Sequence, residues 1–288
     1  MNSRLRRSAL YMPGLNKRAM DKGRTLDADM LLIDLEDSVA PNRKQEARDS
    51  SAAAIGKGGY GRREVVLRVN AQDTPYWQDD LDVLTKCTPD GVLVPKINSP
   101  EDVLSASTAI RDRVGRRETD LWLMMETPSS VLNSREIAAV VGRVPALQGF
   151  VVGTNDLGKD SGVLPGHERL HLLPWLMQLV ASAKAFGLDI IDGVFNDFSD
   201  EKGFEREARR GRELGMTGKS LIHPRQIAAC NKAFSPSKEE IQEARKIVEA
   251  FSAKGSADKG VIVVDGRMVE RLHLELAEST LARAGVEW

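Results

Sequence analysis

The segment PGHERLHLLPW, residues 165–175, contains a His-Glu-x-x-His pattern. On an α-helix this spacing presents two histidines to a zinc ion, with the glutamate as general base. His167 directly follows a Pro-Gly pair, and Pro174 lies three residues beyond His171. Proline and glycine interrupt helices, so we expect that the two histidines do not lie well inside one helix. A third ligand would have to be His223 or His273, and neither lies in a recognisable zinc motif. We therefore predict that the pattern is a coincidence of spacing and that it binds no zinc.

Two carboxylates offer a different metal site. Glu126 and Asp156 end two consecutive apolar segments, LWLMMET and GFVVGTND. If these segments are neighbouring parallel strands, both carboxylates lie at the same edge of the sheet. Two carboxylates with waters and substrate oxygens form a usual magnesium site, since Mg2+ prefers octahedral oxygen ligation and keeps several waters. The sequence therefore predicts an Mg2+ site at Glu126 and Asp156, where Glu36 and Asp37 could hold the waters of the ion.

Two cationic residues follow other apolar segments. Arg68 ends EVVLRVN and Lys96 ends GVLVPKI. Both supply positive charge for a substrate carboxylate or a developing enolate oxygen, and arginine suits a bidentate contact. Lys96 would support the metal site from outside its ligand set. This combination favours a reaction in which a metal gathers the oxygens of a hydroxy or keto acid and polarises a carbonyl.

A basic group lies near the start of the chain. Lys17, Arg18 and Lys22 come after Tyr11, and Arg18 and Lys22 are four residues apart, on one face of a helix. They could clamp the phosphates of a ligand, or they could be a solvated basic face. The sequence leaves both alternatives open.

The segment GMTGKS, residues 215–220, imitates a phosphate-binding P-loop. The complete motif needs a glycine five residues before its Gly-Lys pair, and Glu213 occupies that position. The segment also leads into apolar residues and not into a helix. We therefore predict no nucleotide binding through it.

Eight short apolar segments must position these residues, and segments of helical composition separate them. Near-continuous apolar strands that alternate with helices indicate a parallel sheet covered on both faces. Eight strand-helix units in the first 234 residues favour a (β/α)8 TIM barrel over a doubly wound sheet. Residues 235–288 exceed what a barrel needs, so we expect domains at 1–234 and 235–288, the second a C-terminal helical appendage that packs on a neighbouring subunit. The eight segments are SALYMP, MLLIDLED, EVVLRVN, GVLVPKI, LWLMMET, GFVVGTND, DIIDGVF and GKSLIHP.

The composition of the chain indicates which partners it does not attract and which cellular compartment it fits. The chain has 288 residues, and 41 Lys and Arg nearly balance 42 Asp and Glu. This balance predicts no bulk attraction to nucleic acid or to an anionic membrane. The first residues contain no apolar run of signal-peptide length and the chain has none of spanning length, so we expect neither a signal peptide nor a spanning helix. Only two cysteines, Cys87 and Cys230, are present, which fits a reducing compartment, so we expect a cytoplasmic protein.

Read together, these segments resemble the citrate lyase β-subunit and malyl-CoA lyase family, within the HpcH/HpaI aldolase superfamily. The resemblance covers nearly the whole chain, through RSALYMPG, DADMLLIDLEDSVAPNRKQEAR, VLRVN, VLVPKI, METPSSV, GTNDLGKDSG, DGVFNDFSDEKGF, GMTGKSLIHPRQI and VVDGRMVE. It implies a magnesium-dependent barrel enzyme that acts on a 3-hydroxyacyl-CoA thioester. It also implies a homotrimer or hexamer in which the appendage reaches a neighbouring site.

The resemblance also implies roles for individual residues. Glu126 and Asp156 would bind magnesium, and Arg68 would bind the substrate and stabilise an enolate. Residues expected to contact coenzyme A or to line the path of the acyl and pantetheine groups are Tyr11, Arg18, Lys22, Asn155, and Ser220 and Leu221 in the loop after Lys219.

One departure from the family pattern affects the reaction. The lyases usually carry Asp-Gly-x-Met-x-Asp in the appendage, with the last aspartate as acid-base residue, whereas this chain reads DGRMVE and ends in Glu270. An added methylene moves the carboxylate, and a misplacement of about 1 Å can cost roughly a hundredfold in rate. The longer context looks most similar to (3S)-malyl-CoA thioesterases. We expect thioester hydrolysis or a dual function, with carbon-carbon lyase as the alternative and a subunit of a citrate lyase complex as the third hypothesis.

Overall fold

The computed structural model describes residues 4–115, 118–253 and 259–286. Eight parallel strands close into a barrel in chain order, and β8 pairs with β1. The TIM-barrel prediction is therefore confirmed. The strands are β1 (Ser8–Pro13), β2 (Met30–Asp34), β3 (Glu64–Arg68), β4 (Gly91–Val94), β5 (Asp120–Met125), β6 (Leu147–Val152), β7 (Asp189–Asp192) and β8 (Gly218–Leu221).

Helices follow the strands and cover the outside of the barrel. Their starts carry the expected local signals, as in α4, where Ser99 and Asp102 form a capping box around Pro100. None of the helices in the described residues is long and apolar enough to cross a membrane. The helices of the barrel unit are α1 (Lys17–Gly23), α2 (Lys44–Lys57), α3 (Trp77–Lys86), α4 (Pro100–Val114), α5 (Pro128–Leu132), α6 (Ser134–Ala139), α7 (Thr154–Ser161), α8 (Leu173–Ala185), α9 (Glu201–Glu213) and α10 (Gln226–Phe234).

Seven of the eight strands end two to four residues earlier than the apolar segments predict. β6, for example, ends at Val152, and Asn155 and Asp156 lie in the first turn of α7. The polar residues that were expected at strand ends therefore lie mainly in the loops that follow the strands. These loops leave the hydrogen-bonded ladder, so their side chains and backbone can turn toward the mouth of the barrel.

Alternation along each strand divides the core into two layers. Side chains of one parity fill the barrel interior, with Trp122 as the largest, and those of the other parity pack under the helices. At the amino end of the barrel, Arg6 pairs with Glu64 (2.6 Å) and Asp189 (2.8 Å), and the Trp122 indole donates to Glu64 (3.0 Å). These buried ion pairs close the face opposite to the expected site.

The chain divides into two compact units, of which the barrel is Arg6–Phe234. In the smaller unit, α11 (Lys238–Ser252) packs on α12 (Arg271–Arg283) through a small apolar cluster. An antiparallel hairpin of β9 (Val261–Val264) and β10 (Arg267–Glu270) lies between them in sequence. Its turn is Asp265-Gly266, with φ of 49° and 77°, the left-handed conformation that a tight hairpin turn requires.

Candidate active site

Arg68 lies at the end of β3, where it is buried and held by three carboxylates. Its Nε donates to Asp34 Oδ1 (2.7 Å) and its Nη2 to Asp34 Oδ2 (2.8 Å), a bidentate pair. Its Nη1 lies 2.6 Å from Glu36 Oε2 and 3.2 Å from Asp37 Oδ2. Glu36 and Asp37 thus contact Arg68 directly. Their expected part in holding metal-bound water stays a prediction.

Burial sets the charges of this cluster. It raises the pKa of Glu36 to about 8, which the Arg68 cation only partly offsets. Burial alone would lower the pKa of Arg68, but Asp34 raises it, and Arg68 in turn holds the pKa of Asp34 below its usual range against the effect of burial. The cluster therefore contains a buried ion pair between Arg68 and Asp34 and, beside it, a carboxyl group, Glu36, whose pKa is raised.

Tyr11 lies inside β1 and packs beneath Arg68. The Arg68 guanidinium carbon is 4.9 Å from the centroid of the Tyr11 ring, a cation-π distance. The Tyr11 hydroxyl is 3.9 Å from the sulfur of Met124, and burial raises its pKa. Arg18 and Lys22, by contrast, are exposed on α1. The structure therefore places Tyr11 in the barrel interior and the other two residues on the surface, and their contacts with coenzyme A stay predictions.

Glu126, Lys96 and Asp156 form the second cluster. The Glu126 side chain is 1% exposed, and its Oε1 accepts a hydrogen bond from the backbone N–H of Lys96 (2.8 Å). The Lys96 ammonium donates to Asp156 Oδ1 (2.6 Å) and lies 3.9 Å from Glu126 Oε1. Asp160, one helical turn after Asp156, is 3.7 Å from the same nitrogen. The two predicted metal ligands therefore face one cationic point.

Burial also shifts the pKa values of Glu126 and Lys96 in this second cluster. It raises the pKa of Glu126 to about 7, although Lys96 opposes the shift. Burial alone would lower the pKa of Lys96, but its hydrogen bond to Asp156 and the other carboxylates raise it. The ammonium group thus keeps its proton and compensates the carboxylates around it.

Gly153 allows Glu126 to occupy its position. A Cβ atom on Gly153 would lie 2.5 Å from Glu126 Cβ and 2.7 Å from its Oε2. Such distances are far shorter than van der Waals contact, so no side chain fits between the end of β6 and the Glu126 carboxylate. Sequence reasoning missed this glycine and also Asp160, whose position four residues after Asp156 on one helix was the available signal.

The donor set fits magnesium. The oxygens of Glu126 and Asp156 surround a cation, here the Lys96 ammonium. Within the part of the chain that the structure describes, no group of three or more His, Cys, Asp or Glu is arranged to hold a metal ion. Two protein carboxylates with waters and substrate oxygens are the arrangement that Mg2+ accepts, since it gives up its waters reluctantly.

Three further predicted residues lie around β6 to β8. Asn155 is exposed and exchanges two amide hydrogen bonds with Asn196, at 3.2 and 2.8 Å. Ser220 and Leu221 lie in β8, so the expectation of a loop after Lys219 is wrong. Ser220 donates to the Asp192 carbonyl (2.9 Å), and Leu221 packs in the layer under the helices. Both are buried, and their part in lining a substrate path stays a prediction.

Asp192 ends β7, and its side chain does not point to the barrel mouth. Ile191 before it faces the interior, so Asp192 faces the helices, where it accepts both Nη donors of Arg169 at 2.7 and 3.0 Å. Lys219, fully buried, lies 3.0 Å from Asp192 and 2.7 Å from Glu207. Burial alone would raise the pKa of Asp192, but Arg169 and Lys219 lower it to about 2. This buried network joins the segment between α7 and α8 to β7, β8 and α9.

Arg169 belongs to the His-Glu-x-x-His segment. That segment forms a 3-10 helix, His167–Leu172, in which Glu168 and Arg169 have φ of 53° and 60°. Because two residues are left-handed, positions four apart do not share a face as they do in an α-helix. His171 Nδ1 lies 2.8 Å from the carbonyl of Leu164. The helix that zinc binding would need is not formed by these residues.

Glu270 lies in the smaller unit, at the junction of β10 and α12. It directly precedes α12, and its backbone N–H donates to His273 Nδ1 (2.9 Å). A helix N-terminus favours a negative charge at this position. Its predicted catalytic role stays a prediction.

The chain matches two protein-family models and several characterised enzymes, and these matches agree with one another. Residues 7–224 match the model of the HpcH/HpaI aldolase/citrate lyase family, and residues 169–286 match a C-C bond lyase of the TIM-barrel fold. A (3S)-malyl-CoA thioesterase of Cereibacter sphaeroides is 42% identical over 278 residues, which cover 96% of this chain and 94% of that protein. An L-malyl-CoA/beta-methylmalyl-CoA lyase of the same species is 33% identical over 306 residues, which cover 98% of this chain and 95% of that protein.

Among solved structures, the chain is similar to CitE from Mycobacterium tuberculosis in complex with magnesium, acetoacetate and coenzyme A. The two share 26% identity and a TM-score of 0.78, over 99% of this chain and 100% of that chain.

Proposed function

The chain belongs to the HpcH/HpaI aldolase/citrate lyase family and is an enzyme, and we propose that it hydrolyses the thioester of a 3-hydroxyacyl-CoA such as (3S)-malyl-CoA with the help of Mg2+. The observation that carries the proposal is the pair of carboxylates, Glu126 and Asp156, that surround one cation in a barrel of this family. The higher identity to a thioesterase than to a lyase, 42% against 33%, favours hydrolysis.

Magnesium at Glu126 and Asp156 would supply Lewis-acid polarisation of a carbonyl and gather the oxygens of the hydroxy acid. Arg68 would bind a substrate oxygen and stabilise the negative charge that develops on it. Asp34 fixes the guanidinium plane through its bidentate contact, and Tyr11 packs against one face, so Arg68 needs little reorganisation when the charge develops.

Glu270 of a neighbouring subunit would complete the site. In hydrolysis it takes a proton from water as the water oxygen bonds to the thioester carbon, the carbon-sulfur bond breaks, and coenzyme A leaves as the thiol after protonation. In a variant of this route, the Glu270 carboxylate attacks the thioester itself and water then hydrolyses the anhydride. Both routes give the free hydroxy acid and coenzyme A.

The alternative function is carbon-carbon cleavage of malyl-, β-methylmalyl- or citramalyl-CoA to an acyl-CoA and a keto acid. It uses the same site: the hydroxyl loses a proton, the bond to the enolate carbon breaks, Arg68 stabilises the enolate, and Glu270 protonates it. The 33% identity to a malyl-CoA lyase supports this alternative. A third candidate is a citrate lyase β-subunit that works in a complex, which the match to the HpcH/HpaI aldolase/citrate lyase family model supports.

The coenzyme A moiety would be bound at the barrel mouth. Arg18 and Lys22 are exposed cations that could contact phosphates, which favours a clamp over a merely solvated face. The remaining residues proposed to line the acyl and pantetheine path are Tyr11, Asn155, Ser220 and Leu221.

We also expect an oligomer, a homotrimer or hexamer, in which residues 235–288 pack on a neighbouring subunit. Apolar side chains exposed on the smaller unit support such an interface: Val261, Val263, Met268, Leu272 and Leu276. Light scattering on the purified protein tests the expectation. Cys87 and Cys230 are buried and form no disulfide, which agrees with a reducing compartment such as the cytoplasm.

One assay separates the candidate reactions. Purified protein is incubated with Mg2+ and malyl-CoA, and free thiol and glyoxylate are measured separately. Thiol without glyoxylate means hydrolysis, whereas glyoxylate and acetyl-CoA without thiol mean cleavage. Activity of the pure chain alone eliminates the complex-subunit hypothesis. Turnover that survives EDTA would contradict the magnesium site, and full activity of Glu270→Ala would remove Glu270 from the mechanism.

A further inference from the structure

The Lys96 ammonium occupies the point on which both proposed metal ligands converge. It is 2.6 Å from Asp156 Oδ1 and 3.9 Å from Glu126 Oε1. Mg2+ binds carboxylate oxygens at about 2.0–2.1 Å, so an ion held by these two residues would lie within a few ångströms of the ammonium nitrogen. Two cations that close repel each other strongly in a partly buried site. The lysine side chain and a metal ion therefore cannot use this position together.

The backbone of Lys96 is held independently of its side chain. Its N–H donates to Glu126 Oε1 (2.8 Å), and its φ of 54° places it in the left-handed region, uncommon for a residue with a side chain. This conformation directs the backbone N–H to Glu126. The side chain is 30% exposed and has four rotatable carbons, so the ammonium can move while the contact with Glu126 remains.

A second acceptor lies beside the first. Asp160 Oδ2 is 3.7 Å from the Lys96 nitrogen, and Asp160 follows Asp156 by one turn of α7. Its side chain is 36% exposed. A small rotation of the lysine side chain would exchange Asp156 for Asp160 and would leave Asp156 free to bind a metal.

We propose that the Lys96 ammonium takes the place of the divalent cation in the metal-free enzyme, and that a cation binding to Glu126 and Asp156 displaces it toward Asp160. This inference rests on the metal site of the proposed function. It makes Lys96 a positioning residue that keeps the carboxylates together before the metal arrives and competes with the metal for them. It also assigns Asp160, otherwise a surface carboxylate, the role of receiving the displaced charge.

The test is Mn2+ binding to metal-stripped, full-length protein, followed by electron paramagnetic resonance of the free ion. Lys96→Met keeps the length of the side chain and removes the charge, and we expect it to bind Mn2+ at least about tenfold more tightly than wild type. Lys159→Met is the matched control, since it removes the same charge from an exposed position on α7. Equal affinity of the Lys96→Met and Lys159→Met proteins would overturn the inference.

Thermal unfolding gives a second readout. Without metal, Lys96→Met should melt at a lower temperature than Lys159→Met, because Asp156 loses its hydrogen bond to the ammonium and repels Asp160 without a counter-ion. Saturating Mg2+ should close this gap, and a gap that Mg2+ leaves unchanged would contradict the competition.

Two further variants separate this inference from the metal site itself. Glu126→Gln should lose Mn2+ binding; binding that persists in it, or no binding by any protein, would remove the proposed site and the inference together. Binding that is lost in Glu126→Gln and unchanged in Lys96→Met would overturn the inference alone. Asp160→Asn should weaken binding more in wild type than in a Lys96→Met background, and equal effects would contradict the role of Asp160.

Discussion

Gly153→Ala adds a single methyl group at the centre of the candidate site. The new Cβ would lie 2.5 Å from Glu126 Cβ, 2.7 Å from Glu126 Oε2 and 3.1 Å from Met124 Cε. Gly153 has φ of −100°, a negative value that residues with a side chain adopt, so the effect of the substitution comes mainly from contact.

The size of the effect follows from these distances. Carbon atoms pack at about 3.5–4.0 Å, so Glu126 must move by roughly 1 Å to relieve the contact. A misplacement of that order can cost about a hundredfold in rate. Overpacking typically costs about 1–3 kcal/mol of folding free energy, so the protein should still fold. We therefore expect kcat/KM for coenzyme A release to fall by about a hundredfold, together with weaker metal binding.

The assay compares Gly153→Ala with Gly56→Ala. Gly56 lies on α2, where a Cβ would meet nothing within 4 Å, so this control should keep activity and gain slightly in stability. Steady-state kinetics with malyl-CoA and calorimetric titration with Mg2+ provide the readouts, and urea unfolding checks folding. Activity of Gly153→Ala within about threefold of the control, with unchanged Mg2+ affinity, would refute the claim that the position of Glu126 determines turnover.

Three more predictions concern other parts of the barrel. Asp192→Asn should lower stability at pH 7 by about 3–5 kcal/mol, because it leaves two buried cations, Arg169 and Lys219, to share the single carboxylate of Glu207. In wild type, the pKa of Asp192 is about 2 against about 3.9 in the unfolded chain, so its contribution of about 2.6 kcal/mol is present above pH 4 and lost as the pH falls through 2. Urea unfolding across that range should lack this slope in the variant, and an equal slope would show that another group titrates. Arg68→Lys keeps the charge but loses the bidentate contact with Asp34, so kcat/KM should fall about 10- to 100-fold; near-normal kinetics would mean that charge alone suffices. The double variant His167→Ala, His171→Ala should keep its Mg2+ dependence and metal affinity, and loss of bound metal would restore the case for a histidine site.

Much of the site could be predicted because parallel strands in a barrel end on one face. The predicted pairing of Glu126 with Asp156 needed only the order of the strands. Which strand-end residue points into the barrel depends on the alternation along the strand, and Asp192 is an example of one that points outward. Ile191 is apolar and interior, so the next residue must face the helices.

Other features depend on backbone geometry that residue types do not reveal. The left-handed conformation of Lys96, the close approach of Gly153 to Glu126, and the contacts of Glu36 with Arg68 follow from how the loops turn after the strands end. The contacts of Arg169 could not be predicted from the sequence for the same reason. Its segment matches a metal-binding pattern, yet two left-handed residues place its arginine in a buried ion pair.

Barrel closure has a consequence for how the protein is made. β1 pairs with β8, so Leu10 finds its partner, Leu221, only after about 210 more residues have been synthesised. At about 5–20 residues per second, the ribosome needs roughly 10–40 s for that length of chain. Throughout this interval the first strand presents an unpaired edge, and the residues that carry the chemistry come from strands on both sides of the midpoint. A chain released early therefore has an open sheet and an incomplete site, and we expect such fragments to aggregate without a chaperone.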